Sequence, residues 1–99
     1  MFVMVSRFEV RPGEEDAFVA LHESVDRSAP SGVEGPFSTE LLFDPENPSM
    51  FVTLARYRSR EAADAHTRGP GYADWHRRVV TLTRKAPDVR LLRMAWHSG

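Results

Sequence analysis

The chain begins with an apolar segment and continues with an amphipathic one. Residues 2–10 (FVMVSRFEV) are rich in β-forming side chains and lead into Arg-Pro-Gly at 11–13, which is a turn signal. In residues 14–29 the apolar positions recur at helical spacing, and acidic residues occupy the first turn, where the helix dipole favours them. The pattern therefore predicts a strand, a turn and a helix, and the Pro-Ser-Gly at 30–32 predicts where the helix ends.

Two further apolar segments, 37–43 (FSTELLF) and 50–57 (MFVTLARY), have the composition of β-strands. They are separated by 44–49 (DPENPS), a cluster of turn residues that includes two prolines. We therefore expect a hairpin whose strands are joined by a longer loop.

The rest of the chain predicts a broken helix and a closing strand. Ser59 is a good N-cap for an alanine-rich helix, which the Gly-Pro-Gly sequence at 69–71 interrupts. A second helical piece follows over 72–84, and 88–96 (DVRLLRMAW) has the alternation of a strand.

In chain order these elements are β-α-β-β-α-β, with the second helix in two pieces. This is the order of the ferredoxin-like split βαβ arrangement, an α+β fold with an antiparallel four-stranded sheet. The length of 99 residues suits one domain that spans 1–99.

Both faces of the predicted sheet carry apolar side chains. In the first strand Phe8 and Val5 lie on opposite faces, and in the third strand Phe51 and Val52 do the same. Two helices cover only one face, so we expect a second copy of the sheet to cover the other. The prediction is a homodimer, with Trp96 of the closing strand packed against the partner.

Composition narrows the possible partners. Charged residues make up 27% of the chain but the net charge is −1, which gives no electrostatic signature for binding nucleic acid or an anionic membrane. The chain has no cysteine, which excludes thiolate metal sites and cysteine nucleophiles. The N-terminus lacks the features of a signal peptide and no apolar run approaches the ~20 residues of a membrane span, so we expect a cytoplasmic location.

Three segments carry a resemblance to a known family: 8–18 (FEVRPGEEDAF), 44–51 (DPENPSMF) and 56–72 (RYRSREAADAHTRGPGY). With them the chain resembles, over nearly its whole length, the antibiotic biosynthesis monooxygenase family of dimeric α+β barrels. That family includes oxygenases of aromatic polyketides that need no metal or flavin, heme-degrading enzymes, a quinol oxidase and an isomerase. The resemblance therefore implies the fold and the dimer and leaves the chemistry open.

The broken helix places one histidine on each side of its break, His66 before it and His76 after it. Both can point into a cavity between helices and sheet, and a mostly apolar cavity with a few polar groups suits a small aromatic ligand. His66 and His76 are therefore the candidate catalytic residues. The residues expected to line the cavity and bind substrate are Ser6, Phe8, Phe18, His22, Phe51, Tyr72 and Trp75, with Thr53 as the alternative to Phe51.

The resemblance implies a reaction between a small aromatic substrate and dioxygen without a bound cofactor or metal. A phenolic or anthrone substrate is deprotonated and its enolate reduces dioxygen directly, so the protein must bind the ring, take a proton and stabilise the oxyanion. Histidine suits this work because its unperturbed pKa is about 6.5. We expect His66 to act first, as base or donor, and His76 second; the structural alternative for His66 is a hydrogen bond to a backbone carbonyl. Ala63 stands where the polyketide oxygenases have tyrosine, so their own catalytic set does not transfer.

Two other functions stay open. The placement of His76 resembles that of the heme ligand in the IsdG-like heme-degrading branch, which makes heme the alternative cofactor. That branch has a tryptophan at the position of His66 and an asparagine near Ser6, and this chain has neither. A site formed by three histidines lacks the ligand spacing of a metal centre. The remaining possibility is a non-oxidative cyclase, an isomerase or a binding protein on the same fold.

Overall fold

The computed structural model describes residues 1–28 and 35–99, so the helix stop expected at 30–32 lies outside the described residues. The elements follow the order β-α-β-β-α-α-β. Their bounds are β1 (Phe2–Glu9), α1 (Glu15–Ser28), β2 (Ser38–Asp44), β3 (Asn47–Tyr57), α2 (Arg60–Arg68), α3 (Pro70–Leu82) and β4 (Asp88–Arg93).

The four strands form one antiparallel sheet in the order β2-β3-β1-β4. This confirms the ferredoxin-like α+β fold that the element order predicts. In the central pair, β1 and β3, Phe8 lies opposite Phe51 and Ser6 lies opposite Thr53. Because side chains alternate between the faces of a strand, all four of these point to the same side of the sheet.

The first helix begins as the sequence predicts. Gly13 has a φ of 88°, which only glycine adopts without strain, and it completes the predicted turn before α1. The carboxylate of Glu15 then accepts hydrogen bonds from the Gly13 backbone N–H and from the Ser49 hydroxyl. These contacts connect the start of α1 to the hairpin.

The hairpin loop is shorter than expected. Pro45 and Glu46 alone separate β2 from β3, and the Asp44 carboxylate accepts a hydrogen bond from the Glu46 N–H at 2.9 Å. The register of the two strands changes between Phe43 and Asp44, where Phe43 opposes Phe51 but Asp44 opposes Asn47. The expectation of a longer loop is wrong because the Asp44 side chain closes a tight turn and the irregular residues that follow continue β3.

The predicted break in the second helix is confirmed. Ser59 caps α2, since its hydroxyl accepts a hydrogen bond from the Ala62 N–H at 3.1 Å. Gly69 ends this helix by donating its N–H to the His66 carbonyl, and Pro70 opens α3 at a position where its missing N–H costs nothing.

The closing strand is shorter than predicted, because β4 ends at Arg93 rather than continuing to 96. Trp96 therefore lies outside the strand and is 80% exposed in the single chain.

Within the described residues, no helix is both long enough and apolar enough to span a bilayer.

The helices cover the inner face of the sheet, and the buried residues there form two separate clusters. The first cluster contains Phe8, Val10, Phe18, Phe51 and Val79. The second contains Met4, Tyr57 and Ala63. On the outer face the apolar side chains include Val5, Leu42, Val52, Leu54 and Leu92, of which Leu42 and Leu92 are exposed. Both faces thus carry apolar side chains, as the sequence predicts, and on the outer face these are mixed with charged ones such as Arg7 and Arg90.

Candidate functional site

Two hydroxyl-bearing side chains lie side by side on the inner face, between the two core clusters. Ser6 of β1 and Thr53 of β3 are partners in the strand register and are only 4% and 6% exposed. Among the side chains of residues 1–24 and 35–99, neither makes a hydrogen bond. Because the hydroxyls of buried residues are normally paired, these two are available to bind a polar group of a ligand.

Tyr57 and His66 form a second polar feature, at the end of β3. Tyr57 is 1% exposed, and its Oη lies 2.7 Å from Nδ1 of His66 on α2. Burial, with a smaller contribution from the neighbouring Tyr72, raises the pKa of Tyr57 to about 12, so the phenol keeps its proton at neutral pH. Burial also lowers the pKa of His66 below 6.5, which favours a neutral imidazole.

This hydrogen bond determines which nitrogen of His66 carries the proton. In the part of the chain that the structure describes, the Tyr57 hydroxyl has no other partner, so its proton is paired only when it donates to Nδ1. A neutral His66 that accepts at Nδ1 carries its own proton on Nε2. We therefore assign His66 as a hydrogen-bond donor through Nε2–H. The alternative of a bond from His66 to a backbone carbonyl is wrong, because Tyr57 takes that place.

His22 has the opposite arrangement. Its Nδ1 lies 3.0 Å from the carbonyl oxygen of Phe18, one turn earlier in α1. A carbonyl oxygen can only accept, so Nδ1 carries the proton and Nε2 presents a lone pair. Burial lowers the pKa of His22, partly opposed by this hydrogen bond, which favours the neutral ring. Within the described residues, Nε2 of His22 is the enclosed side-chain polar atom that lacks a hydrogen-bond partner.

Two rings of α3 connect the two histidines. The Trp75 ring lies edge-on to His22, with 5.4 Å between the ring centroids. The Tyr72 centroid is 5.6 Å from that of Trp75 and 5.6 Å from that of His66. Because α3 restarts at Pro70, its first turns direct Tyr72 towards α2 and Trp75 towards α1. The four rings form a continuous series from α1 to α2.

His76 lies one turn beyond Tyr72 on α3. Its ring is stacked on that of Tyr72, with 6.4 Å between the centroids and 25° between the planes. Its side chain makes no hydrogen bond among the described residues. The structure therefore brings both predicted catalytic histidines against Tyr72, but it gives only His66 a polar partner.

Three of the predicted lining residues, Phe8, Phe18 and Phe51, form the centre of the first core cluster. The ring centroid of Phe18 is 5.1 Å from that of Phe8 and 4.9 Å from that of Phe51. All three are buried and pack against one another. Their part in substrate binding stays a prediction. In this structure they lie on the sheet side of the four rings of His22, Trp75, Tyr72 and His66.

Two surface depressions lie away from these rings. One of about 480 Å³ is lined by Arg11, Pro12, Glu14 and Arg84. The other, of about 240 Å³, is on the outer face of the sheet and is lined by Val5, Arg7, Asp88, Arg90 and Leu92. The cavity expected between helices and sheet corresponds to neither, and neither adjoins His76 as a heme pocket would. Among the described side chains, those of residues 1–24 and 35–99, no three His, Asp or Glu residues are grouped so that they could bind a metal ion.

Sequence reasoning missed two features of this site. The Tyr57 and His66 side chains are nine positions apart, and no local spacing rule links the end of a strand to the next helix. The sequence gives a weak indication of the free lone pair on His22. Phe18 and His22 are four residues apart on an otherwise apolar helical face, so that the His22 ring can reach the Phe18 carbonyl.

Comparisons with known proteins agree with the fold. A family model described as antibiotic biosynthesis monooxygenase matches residues 1–78. Rv0793 from Mycobacterium tuberculosis is 26% identical with a TM-score of 0.79, and the alignment covers 99% of this chain and 98% of that one. A conserved protein from Methanosarcina mazei Go1 is 18% identical with a TM-score of 0.82, over 93% and 90% of the two chains. A variant of SnoaB, a cofactor-independent oxygenase from Streptomyces nogalater, is 18% identical with a TM-score of 0.75, over 97% and 94%. No curated protein matches the chain significantly in sequence.

Proposed function

The chain belongs to the antibiotic biosynthesis monooxygenase family, and we propose that it oxidises a phenolic, anthrone-like or quinone-like aromatic metabolite with dioxygen and without a bound cofactor. One observation carries this proposal. The ring series His22, Trp75, Tyr72 and His66 joins the helices above a sheet face on which Ser6 and Thr53 present unpaired hydroxyls. Flat apolar surfaces beside a few polar groups suit an aromatic ring that carries hydroxyl or keto oxygens.

The chemistry needs little from the protein beyond binding and proton handling. A ring C–H or O–H bond is broken, its proton passes to a base, and the electron pair stays on the substrate as an enolate. The enolate gives one electron to dioxygen, and the resulting radical and superoxide combine as a peroxide. On a ring carbon that carries a further hydrogen, as in an anthrone, that C–H bond breaks together with the O–O bond, which leaves one oxygen as a new carbonyl and releases the other as water. A quinol already carries oxygen at both reacting carbons, so it instead passes two electrons and two protons to dioxygen and gives a quinone and hydrogen peroxide. Hydrogen-bond donors placed near the enolate oxygen lower the barrier to the first step.

His66 and His76 are the proposed catalytic residues, and their surroundings support His66 more strongly than His76. His66 is neutral, is oriented by Tyr57 and carries its free proton on Nε2, which suits a donor to the enolate oxygen. His76 is stacked on Tyr72 without a polar partner among the described residues, and it is proposed as the secondary group. The heme-ligand role for His76 stays a prediction, and no observed contact favours it.

The proposed function is tested by oxygen uptake with a panel of anthrones, naphthols and quinols. We expect uptake with at least one compound, formation of the corresponding quinone, and a loss of rate in His66→Ala. His97→Ala is the matched control, because His97 is exposed and lies outside the helices and strands. Turnover that is equally fast under nitrogen would identify a cyclase or isomerase instead. The absence of both uptake and turnover across the panel would refute an enzyme of this class.

We further propose that the outer face of the sheet is covered by a second copy of the chain. Central residues of this face, such as Val5 and Leu54, are apolar, and the helices lie on the opposite side. A sheet that is apolar on both faces needs cover on both.

The cytoplasmic location also stays a prediction from the sequence.

A further inference from the structure

The proposed reaction requires a proton acceptor, and the assignment of His66 as a donor leaves that role open. The acceptor must be neutral, must present a lone pair and must reach the surface on which an aromatic ring binds. His22 meets the first two conditions, since its Nδ1–H is used by the Phe18 carbonyl and its Nε2 is without a partner among the described residues.

The surroundings of His22 meet the third condition. The His22 ring, whose Nε2 is enclosed, lies among three aromatic residues from three elements: Phe18 of α1, Trp75 of α3 and Phe8 of β1. The ring centroids lie 4.5, 5.4 and 6.0 Å from that of His22, respectively. An unpartnered imidazole nitrogen in an aromatic environment is well placed to meet an aromatic substrate.

The three rings differ in how freely they can move. Phe8 and Phe18 are buried in the first core cluster, whereas Trp75 is only half-buried at its edge. Displacing a core phenylalanine would open the core, but Trp75 can rotate towards solvent at lower cost. A flat substrate can therefore reach Nε2 of His22 by taking the place of the Trp75 ring.

We propose that His22 is the general base of the oxygenase reaction, and that its Nε2 takes the acidic proton of an aromatic substrate that takes the place of the Trp75 ring. This inference rests on the proposed function. The substrate C–H or O–H bond breaks, an Nε2–H bond forms, and the electron pair remains on the substrate. The imidazolium and the enolate then stabilise each other as an ion pair. The proton returns to the reduced oxygen, which leaves as water from an anthrone and as hydrogen peroxide from a quinol, so that His22 is neutral again at the end of the cycle.

The two histidines then have complementary roles that follow from their opposite tautomers. His22 donates to a backbone carbonyl and accepts from substrate, whereas His66 accepts from Tyr57 and donates to substrate. Neither can exchange roles without breaking the hydrogen bond that orients it.

The test uses His22→Asn in the full chain with two quinols. The asparagine amide can still donate to the Phe18 carbonyl, but it supplies no base. One quinol is protonated at the assay pH, and a halogen-substituted analogue is already ionised there. With the protonated quinol we expect kcat to fall by on the order of 100-fold or more. With the ionised analogue we expect a change of less than about threefold, because the first proton, which His22 is proposed to take, has already left.

A structural role would slow both substrates equally, and that result would overturn the proposal. Normal turnover of both quinols by His22→Asn would overturn it as well, while leaving the proposed function intact. No oxygen uptake by the unmodified chain with either quinol would refute the function and this role together. If the variant does not fold, ¹⁵N spectra of the unmodified chain decide instead. A neutral His22 with its proton on Nδ1 is expected, and a proton on Nε2 would overturn the assignment.

Discussion

Tyr57 donates a hydrogen bond from its buried hydroxyl to Nδ1 of His66 across 2.7 Å, which joins the last residue of β3 to the last turn of α2. The contact fixes both the orientation and the tautomer of His66. Tyr57 is thus a positioning residue, which acts on the proposed chemistry only through the imidazole that it holds.

Tyr57→Phe is therefore expected to slow turnover without abolishing it. Loss of one hydrogen bond of ~1 kcal/mol frees His66 to exchange tautomers, so kcat should fall roughly five- to tenfold. Steady-state oxygen uptake measures this, and ¹⁵N spectra should show His66 as a mixture of tautomers. Thr81→Val is the control, since Thr81 is exposed on α3 and its hydroxyl donates only to the Arg78 carbonyl of the same helix. Equal losses in both variants would contradict a positioning role for Tyr57.

Much of the fold could be predicted because local patterns determine it. The spacing of apolar residues gave the element order, Ser59 and the Gly-Pro-Gly at 69–71 gave the ends of the helix pieces, and alternation placed Phe8 and Phe51 on one face. The hairpin loop was predicted incorrectly because composition marks a turn region without showing that the Asp44 carboxylate closes it after two residues.

The site was predictable only in part. The sequence pointed to His66, Tyr72 and Trp75 through the helix break, and the structure places these three side by side. The tautomers depend on which atom faces each ring nitrogen, and that is set by how the helices cross the sheet. For this reason the bond from Tyr57 to His66 and the free lone pair of His22 became visible only in three dimensions.

Acid is expected to destabilise the fold through its two half-buried histidines, His22 and His66. Burial holds the pKa of His22 and that of His66 below the ordinary value of 6.5. Between the folded and unfolded pKa values the unfolded chain binds more protons, so stability rises with pH through this window. Their contribution is complete above about pH 6.5 and is lost as the pH falls through the folded values. Thermal midpoints from pH 7.5 to 5.5 should fall in the unmodified chain and fall less in His22→Asn. A midpoint that does not change over this range would contradict the prediction.

Alkaline titration should show that both tyrosines of the chain ionise at higher pH than free tyrosine does. The pKa of Tyr57 is raised to about 12 and that of Tyr72 is raised from 10, so neither phenol should ionise fully at pH 10.5 in the folded state. Because the folded pKa of Tyr57 exceeds the unfolded one, its contribution is present below about pH 10 and is lost as the pH rises towards 12. Absorbance of tyrosinate near ~295 nm records both steps, and Tyr57→Phe should remove the later one. Two ordinary titrations centred near pH 10 would show that the phenols are not buried.

A charge in the centre of the outer sheet face should prevent dimer formation. Leu54 lies on β3 between Val5 of β1 and Glu40 of β2, so Leu54→Glu places a second carboxylate beside Glu40 in the proposed interface, where like charges repel each other. Sedimentation at micromolar concentration should give twice the 11.2 kDa chain mass for the unmodified protein and a single chain mass for the variant. Val80→Glu is the control, since Val80 is an exposed apolar residue on α3. An unmodified chain that sediments as a monomer would refute the dimer.

Removing the hydroxyls of Ser6 and Thr53 should weaken substrate binding without lowering the stability of the fold. Neither has a hydrogen-bond partner among the described residues, so removing them in Ser6→Ala and Thr53→Val should leave the thermal midpoint unchanged or raise it slightly. If they bind a substrate oxygen, each variant should raise the Kd of an active quinol by roughly two- to tenfold. Binding can be followed by fluorescence of Trp75 in a Trp96→Phe background, since the chain has two tryptophans. Variants that lose stability but keep the same Kd would mean that the hydroxyls serve the fold. Unchanged or higher stability with weaker binding is expected only where a polar group is kept for a ligand.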